Sequence, residues 1–226
     1  MMASPVIDEL EVTKKLIAWG ERAAKQGLDL SVDLQPSIDK PQQMQRLVHY
    51  VRSGCPPLTG IVHDAKIVCG VLGLPNNCTE EAPKAADGEV VVWYGGWTFG
   101  ELVATGKVIN YLSKEWEGWK APAGYYHTRI PVPESNRMTH DEQVAYLGRS
   151  YPAFKELHTP VGATALVAHF GITGEDLLNE SFCRCAEVLP NGLHVDLYVL
   201  EGCVDVSSDW GNLSDGDVFL GAARRV

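Results

Sequence analysis

The sequence predicts an α+β fold: an N-terminal helical hairpin, a central strand-turn-helix unit and a mainly antiparallel C-terminal sheet. Three observations carry this reading. Apolar residues recur at helical spacing through residues 4–51. Val90, Val91, Val92, Trp93 and Tyr94 form a β-branched and aromatic run, followed by Gly95-Gly96 and a T-x-x-E capping pattern at Thr98 and Glu101. From Ser181 onward the period falls to two, and Pro190-Asn191-Gly192 separates two alternating stretches. Residues 1–54 are expected as a helical segment packed on a main α/β domain of residues 55–226.

Taken in order, Ser4-Pro5 opens a first helix, with Pro at its first turn, and Gly27 ends it. Asp39-Lys40-Pro41 starts a second, with Met44, Leu47, Val48 and Val51 on one side; Gly54 and Pro56-Pro57 stop it. Residues 58–74 suit a helix through Ile61, Ala65, Val68 and Leu72, although Ile67, Val68 and Val71 also suit strands. Residues 75–87 are polar and read as a surface loop. The helix after Thr98 is expected to run through Leu102, Val108, Ile109, Leu112 and Trp116.

Tyr125 to Val132 reads as a strand whose end is set by Pro131 and Pro133. Thr139 and Glu142 form a second capping box, for a helix at about residues 140–148. Thr159-Pro160 begins a helix with Val161, Ala165, Leu166 and Phe170 on one side, and Thr173 caps a short one after it. Strands follow at residues 181–188 and 193–200, with two more at 203–206 and 217–224.

Formal net charge is -10 over 226 residues, which argues against a general nucleic-acid or anionic-membrane binder, since both need a positive field. No run is apolar enough to span a bilayer. The start, MMASPVIDELEVTKK, lacks the basic start and apolar block of a secretory signal, so a cytoplasmic setting with six reduced cysteines is expected.

Few motifs carry chemistry. GELVATGK, from Gly100 to Lys107, misses the phosphate-loop spacing and has Val108 where a magnesium-binding hydroxyl belongs. A first candidate site is a ligand wall of Trp93, Tyr94 and Trp97 beside the helix opened at Thr98, where backbone N–H groups can meet an anion. The plainer reading is that these aromatics fill the core. A second is a metal face. C-x-C on a strand puts Cys183 and Cys185 on one side, and pairing about Asn191-Gly192 sets Cys185 opposite Tyr198 and Glu187 opposite Asp196. That register gathers Cys183, Cys185, His194 and Asp196, a set with donors for zinc. A slip of one residue dissolves it.

Asp205, Asp209, Asp215 and Asp217 lack the ligand order of an EF-hand, and turn chemistry explains them more simply. Cys55 or Cys183 as a thiol nucleophile needs a nearby base, but His63, His127, His158 and His169 are scattered along the chain.

From about residue 89 onward the chain resembles a set of uncharacterised bacterial proteins. The shared features are a strand, a helix ending in Gly106-Lys107, and Gly124-Tyr125 opening a strand. LHTPVGATAL from Leu157 to Leu166, Trp210 and a closing Gly221-Ala222-Ala223 complete them. Val161 and Arg224 depart from that pattern. The resemblance implies a single α/β unit and no mechanism. The function expected is therefore that of a small acidic ligand-binding or protein-interaction domain, homo-oligomeric through its first helices. The alternative is a hydrolase or metal-dependent enzyme on the Cys183/Cys185/His194/Asp196 face.

Overall fold

A computed structural model of the chain describes residues 60–210 and 216–226. The expected N-terminal hairpin, Cys55 and Asp215 lie outside these residues. No helix among the described residues is long and apolar enough to cross a membrane.

The first sheet has the order β1-β2-β4-β10-β5. β2 (Val90–Tyr94), second in this order, is buried at every position as its unbroken apolar run predicts. β1 (Ile61–His63) lies parallel to it, and β4 (Gly124–Arg129) antiparallel. β10 (Ala222–Arg225) joins β4, and the two-residue β5 (Lys155–Glu156) closes the far edge. The stretch after residue 58 is thus a strand followed by a helix, not one helix. Asp64 breaks it, because its carboxylate caps α1 (Ala65–Leu72) by accepting from the Ile67 N–H at 2.8 Å.

α2 (Phe99–Ala104) opens on the predicted capping box. Thr98 N–H donates to the Glu101 carboxylate at 2.7 Å, and Glu101 N–H returns a bond to the Thr98 hydroxyl at 3.2 Å. The helix does not run on to Trp116. Thr105 Oγ1 donates to the Leu102 carbonyl at 2.6 Å, and Gly106 takes φ +71°, which turns the chain out of the helix. Val108 and Ile109 then enter β3 (Val108–Asn110), because a parallel partner strand, β8 (Cys203–Trp210), is there for β-branched residues to pair with. A 3-10 turn at Lys114–Gly118 follows.

The second sheet has the order β3-β8-β7-β6-β9. β6 (Phe182–Val188), β7 (Leu193–Leu200) and β8 are antiparallel neighbours, while β3 and β9 (Val218–Leu220) add parallel edges, so the sheet is mixed. α3 (His140–Ser150) starts on the second capping box, as predicted.

α4 (Thr159–Thr173) packs against strands of both sheets. It is one helix ended by Gly174 at φ +70°, not a longer and a shorter one, and every residue from Thr159 to His169 is buried. An all-round apolar helix of this kind needs cover on every side. Its close approach depends on a missing side chain: a Cβ at Gly162 would stand 2.6 Å from Leu197 Cδ1 and 2.7 Å from Leu157 Cδ2. Its N-terminus is capped from another element. Glu187 on β6 accepts from Thr159 N–H at 2.9 Å and Thr159 Oγ1 at 2.7 Å.

Gly162→Ala is therefore expected to destabilise the fold by about 1–3 kcal/mol, although alanine is the better helix former. Urea unfolding of the two proteins measures it. An unchanged or raised midpoint means that the helix–sheet contact yields without cost.

Candidate functional site

The aromatic wall lies inside the core. Trp93, Tyr94 and Trp97 are 4%, 0% and 7% exposed. Trp93 meets Tyr125 edge-on at 5.1 Å, and the Tyr94 hydroxyl donates to the Trp97 carbonyl. Trp97 lies so close over Gly95 that a Cβ there would be 2.5 Å from its ring. Thr98 is occupied by the helix cap. The expected wall is divided: Tyr94 packs with Trp97, whereas Trp93, the preceding residue of the strand, points to the other face of the sheet and meets Tyr125.

The metal face is divided by register. Cys183 pairs with Leu197 and Arg184 with Asp196, and a bulge follows before Val188 pairs with His194. The expected pairings of Cys185 with Tyr198 and Glu187 with Asp196 are thus corrected. The physical reason is a slip of one residue at the turn: Val188 pairs with His194 and the Leu189 N–H donates to the Leu193 carbonyl, so Pro190 joins Asn191 and Gly192 in the loop, and the later register shift between Arg184 and Val188 leaves the faces unchanged. By strand alternation Cys183 and Cys185 share the α4 face with Val195 and Leu197, whereas His194 and Asp196 share the outer face with Arg184. Burial pushes both thiols well above their ordinary range. Glu187 caps α4.

What the outer face does assemble is a polar cluster around Arg184, the residue between the two cysteines. Arg184 is 0% exposed and Asp196 2%. The Arg184 Nη2 donates to both oxygens of Asp209 on β8, at 3.1 and 3.0 Å, and Nη1 donates to Gln143 Oε1 on α3 at 3.0 Å. Gln143 is itself fixed, since its Nε2 donates to the carbonyls of Ser135 (2.9 Å) and Val218 (3.1 Å). Asp205 and Asp209, read from sequence as turn residues, both lie in β8.

His194 stands directly opposite Asp209. Its ring lies against that of His140, with centroids 3.9 Å and planes 38° apart, and His140 Nε2 bonds Glu156 Oε1 at 2.8 Å. Burial, then the nearby His140 and Arg184, lower the His194 pKa. Burial and the Asp209 charge push the Asp196 carboxyl up to about 8, with Arg184 opposing them. Asp196 is therefore the carboxyl of this cluster that keeps its proton to higher pH.

Three buried atoms of this cluster have no hydrogen-bond partner among the described residues: Arg184 Nε, His194 Nδ1 and Asp196 Oδ1. Each such atom costs about 1–3 kcal/mol. Three together in one place mark a site with unused polar capacity. The signal in the sequence was an arginine in the middle of a strand otherwise cysteine-rich and apolar.

The four histidines scattered in sequence are all partnered. His63 and His169 share a hydrogen bond at 3.2 Å, and burial lowers both pKa values to about 4. His127 bonds Glu89 at 2.6 Å and His158 bonds Glu187 at 3.0 Å.

The raised pKa of Asp196 has a defined sign. The native state holds a proton that the unfolded chain, with an aspartate pKa of about 3.9, releases earlier. This group's contribution is complete below about pH 4 and is lost as pH rises toward 8. Asp196→Asn, which cannot ionise, is expected to flatten the fall in thermal midpoint across that window. Parallel midpoint-against-pH curves for the two proteins would show that Asp196 does not titrate there.

No family model matches the chain, and neither a curated protein nor a solved structure matches it.

Proposed function

We propose that this protein binds a small, uncharged, hydroxyl-rich molecule at the Arg184–Asp196–His194 cluster. The observation that carries the reading is the set of three unpartnered buried polar atoms on one sheet face. Arg184 Nε and Asp196 Oδ1 stand 3.9 Å apart, too far to bond each other. One ligand oxygen can lie about 2.9 Å from both, accepting from the guanidinium and donating to the carboxyl.

Charge supports a neutral ligand. Arg184 is balanced by Asp209, and Asp196 holds its proton below about pH 8. Two residues along the same face, Phe182 and Tyr198 stack at 4.8 Å with their planes 24° apart. Phe182 is partly exposed there and can pack against the apolar side of a sugar-like ring. The reading carries with it the cytoplasmic setting and the homo-oligomer expected from the sequence.

Saturation-transfer NMR with a panel of monosaccharides and polyols tests it. Panel members should give signals, and Asp209→Asn should weaken them about tenfold by loosening Arg184. A silent panel, or equal binding by the variant, ends the proposal.

A second reading, a hydrolase, rests on two acids, Asp196 and Asp209, flanking the same Arg184 guanidinium, with Asp196 raised to about 8. A protonated carboxyl beside an ionised one can act as acid and base on a bound water. Two carboxyls of unequal protonation are the arrangement of an aspartic protease. This favours aspartic-type attack of water on a peptide. Cleavage of a quenched peptide library, abolished in Asp196→Asn, is the expected result; an intact library removes this reading.

A further inference from the structure

A second charged cluster lies on the first sheet. Val91 pairs with His127, and His127 with Arg224, so the three share a face. His63, level with Val92, meets His169 of α4, which makes the Val91 face the outer one. Glu89 and Arg129 complete the cluster.

Glu89 is buried, and burial pushes its carboxyl up. Hydrogen bonds from His127 and the Ala86 amide, with the charges of His127 and Arg224, outweigh that and hold it below the usual range. The carboxylate is therefore ionised, and His127 Nδ1 donates its proton to Oε2 at 2.6 Å. That nitrogen then has no lone pair for Arg224 Nη2, which stands 3.1 Å away. The other contacts of the two arginines are long. Arg224 Nη2 is 3.5 Å from Glu89 Oε2. Arg129 Nη2 is 3.6 Å from Glu89 Oε1 and 3.4 Å from the Asp87 carbonyl. Arg129 Nε is buried with no hydrogen-bond partner among the described residues.

Two guanidinium groups thus flank one carboxylate and leave most of their donors unused among the described residues. Stacking holds their heads in place. Arg129 lies over Tyr151 at 4.7 Å and over Phe154 at 5.5 Å, and Arg224 lies over the same Phe154 at 5.4 Å. Arg224 is 38% exposed, so a ligand can reach it. In a chain of net charge -10, this is a local excess of positive charge.

We propose that Arg129 and Arg224 form an oxyanion-binding site, taking a carboxylate or phosphate group of a small molecule. The planar guanidinium forks match either group, and Glu89 with His127 positions them from below. The site shares no residue with the Arg184 cluster and stands or falls separately from it.

Calorimetric titration of the whole chain with sodium acetate, and separately with inorganic phosphate, tests the proposal, with chloride balancing ionic strength. Saturable binding of acetate assigns a carboxylate ligand; saturable binding of phosphate assigns a phosphate. Arg224→Gln should weaken the bound anion about tenfold while keeping the wild-type thermal midpoint. If that variant unfolds, Arg129→Gln is read the same way. No heat from either anion beyond the chloride control, or undiminished binding by a folded variant, overturns it.

Discussion

The fold depends on one constraint: α4 is apolar on every side and must be covered on every side. A helix on the surface needs one partner face, but this one lies against strands of both sheets. Small residues let both come close. Gly162, Ala163, Ala165 and Ala168 are all buried in it, and Gly162 admits Leu157 and Leu197 where a methyl group would collide. Burying its first turn strands N–H groups that water would otherwise satisfy. Glu187 answers for that turn from β6. This gives Glu187 a structural task at the helix end, remote from Asp196.

Covering α4 with the inner face of the second sheet decides what the outer face carries. Along β6 the alternation is strict at its start: Cys183 and Cys185 turn inward and Arg184 outward. An arginine at zero exposure is tolerable because it is paired and bonded, by Asp209 and Gln143, with Asp196 alongside. The second carboxyl then has one cation too few. It keeps a proton, and with that proton the cluster is close to neutral.

Local chemistry was legible in the sequence. Both capping boxes and the buried β2 run form where the residues place them, because each rests on contacts within a few positions. What was not legible depends on distant partners. Val108 and Ile109 fit a helical face as well as a strand, and β8, about a hundred residues on, takes them into a sheet. The face of His194 hangs on the turn register, which pairs Val188 with His194, one residue from the expected pairing. The candidate site was half read: His194 and Asp196 belong to it, the cysteines do not, and Arg184 was passed over although it stands between them.

The two charged clusters differ in a way that counting charges exposes. Around Arg184, one guanidinium is paired with Asp209 and stands beside Asp196, whose carboxyl is raised to about 8. An anion brought there meets no surplus cation, and a cation must displace the proton. Hydrogen bonding is what remains on offer, and neutral donors and acceptors suit it. Around Glu89, two guanidinium groups share a single carboxylate, and the histidine proton already fills one of its oxygens. There the surplus is cationic, so a negative group gains where a neutral one gains little. The same residue types, arginine, histidine and acid, thus favour opposite ligands on the two sheets, and the ratio of arginines to ionised carboxylates sets the difference.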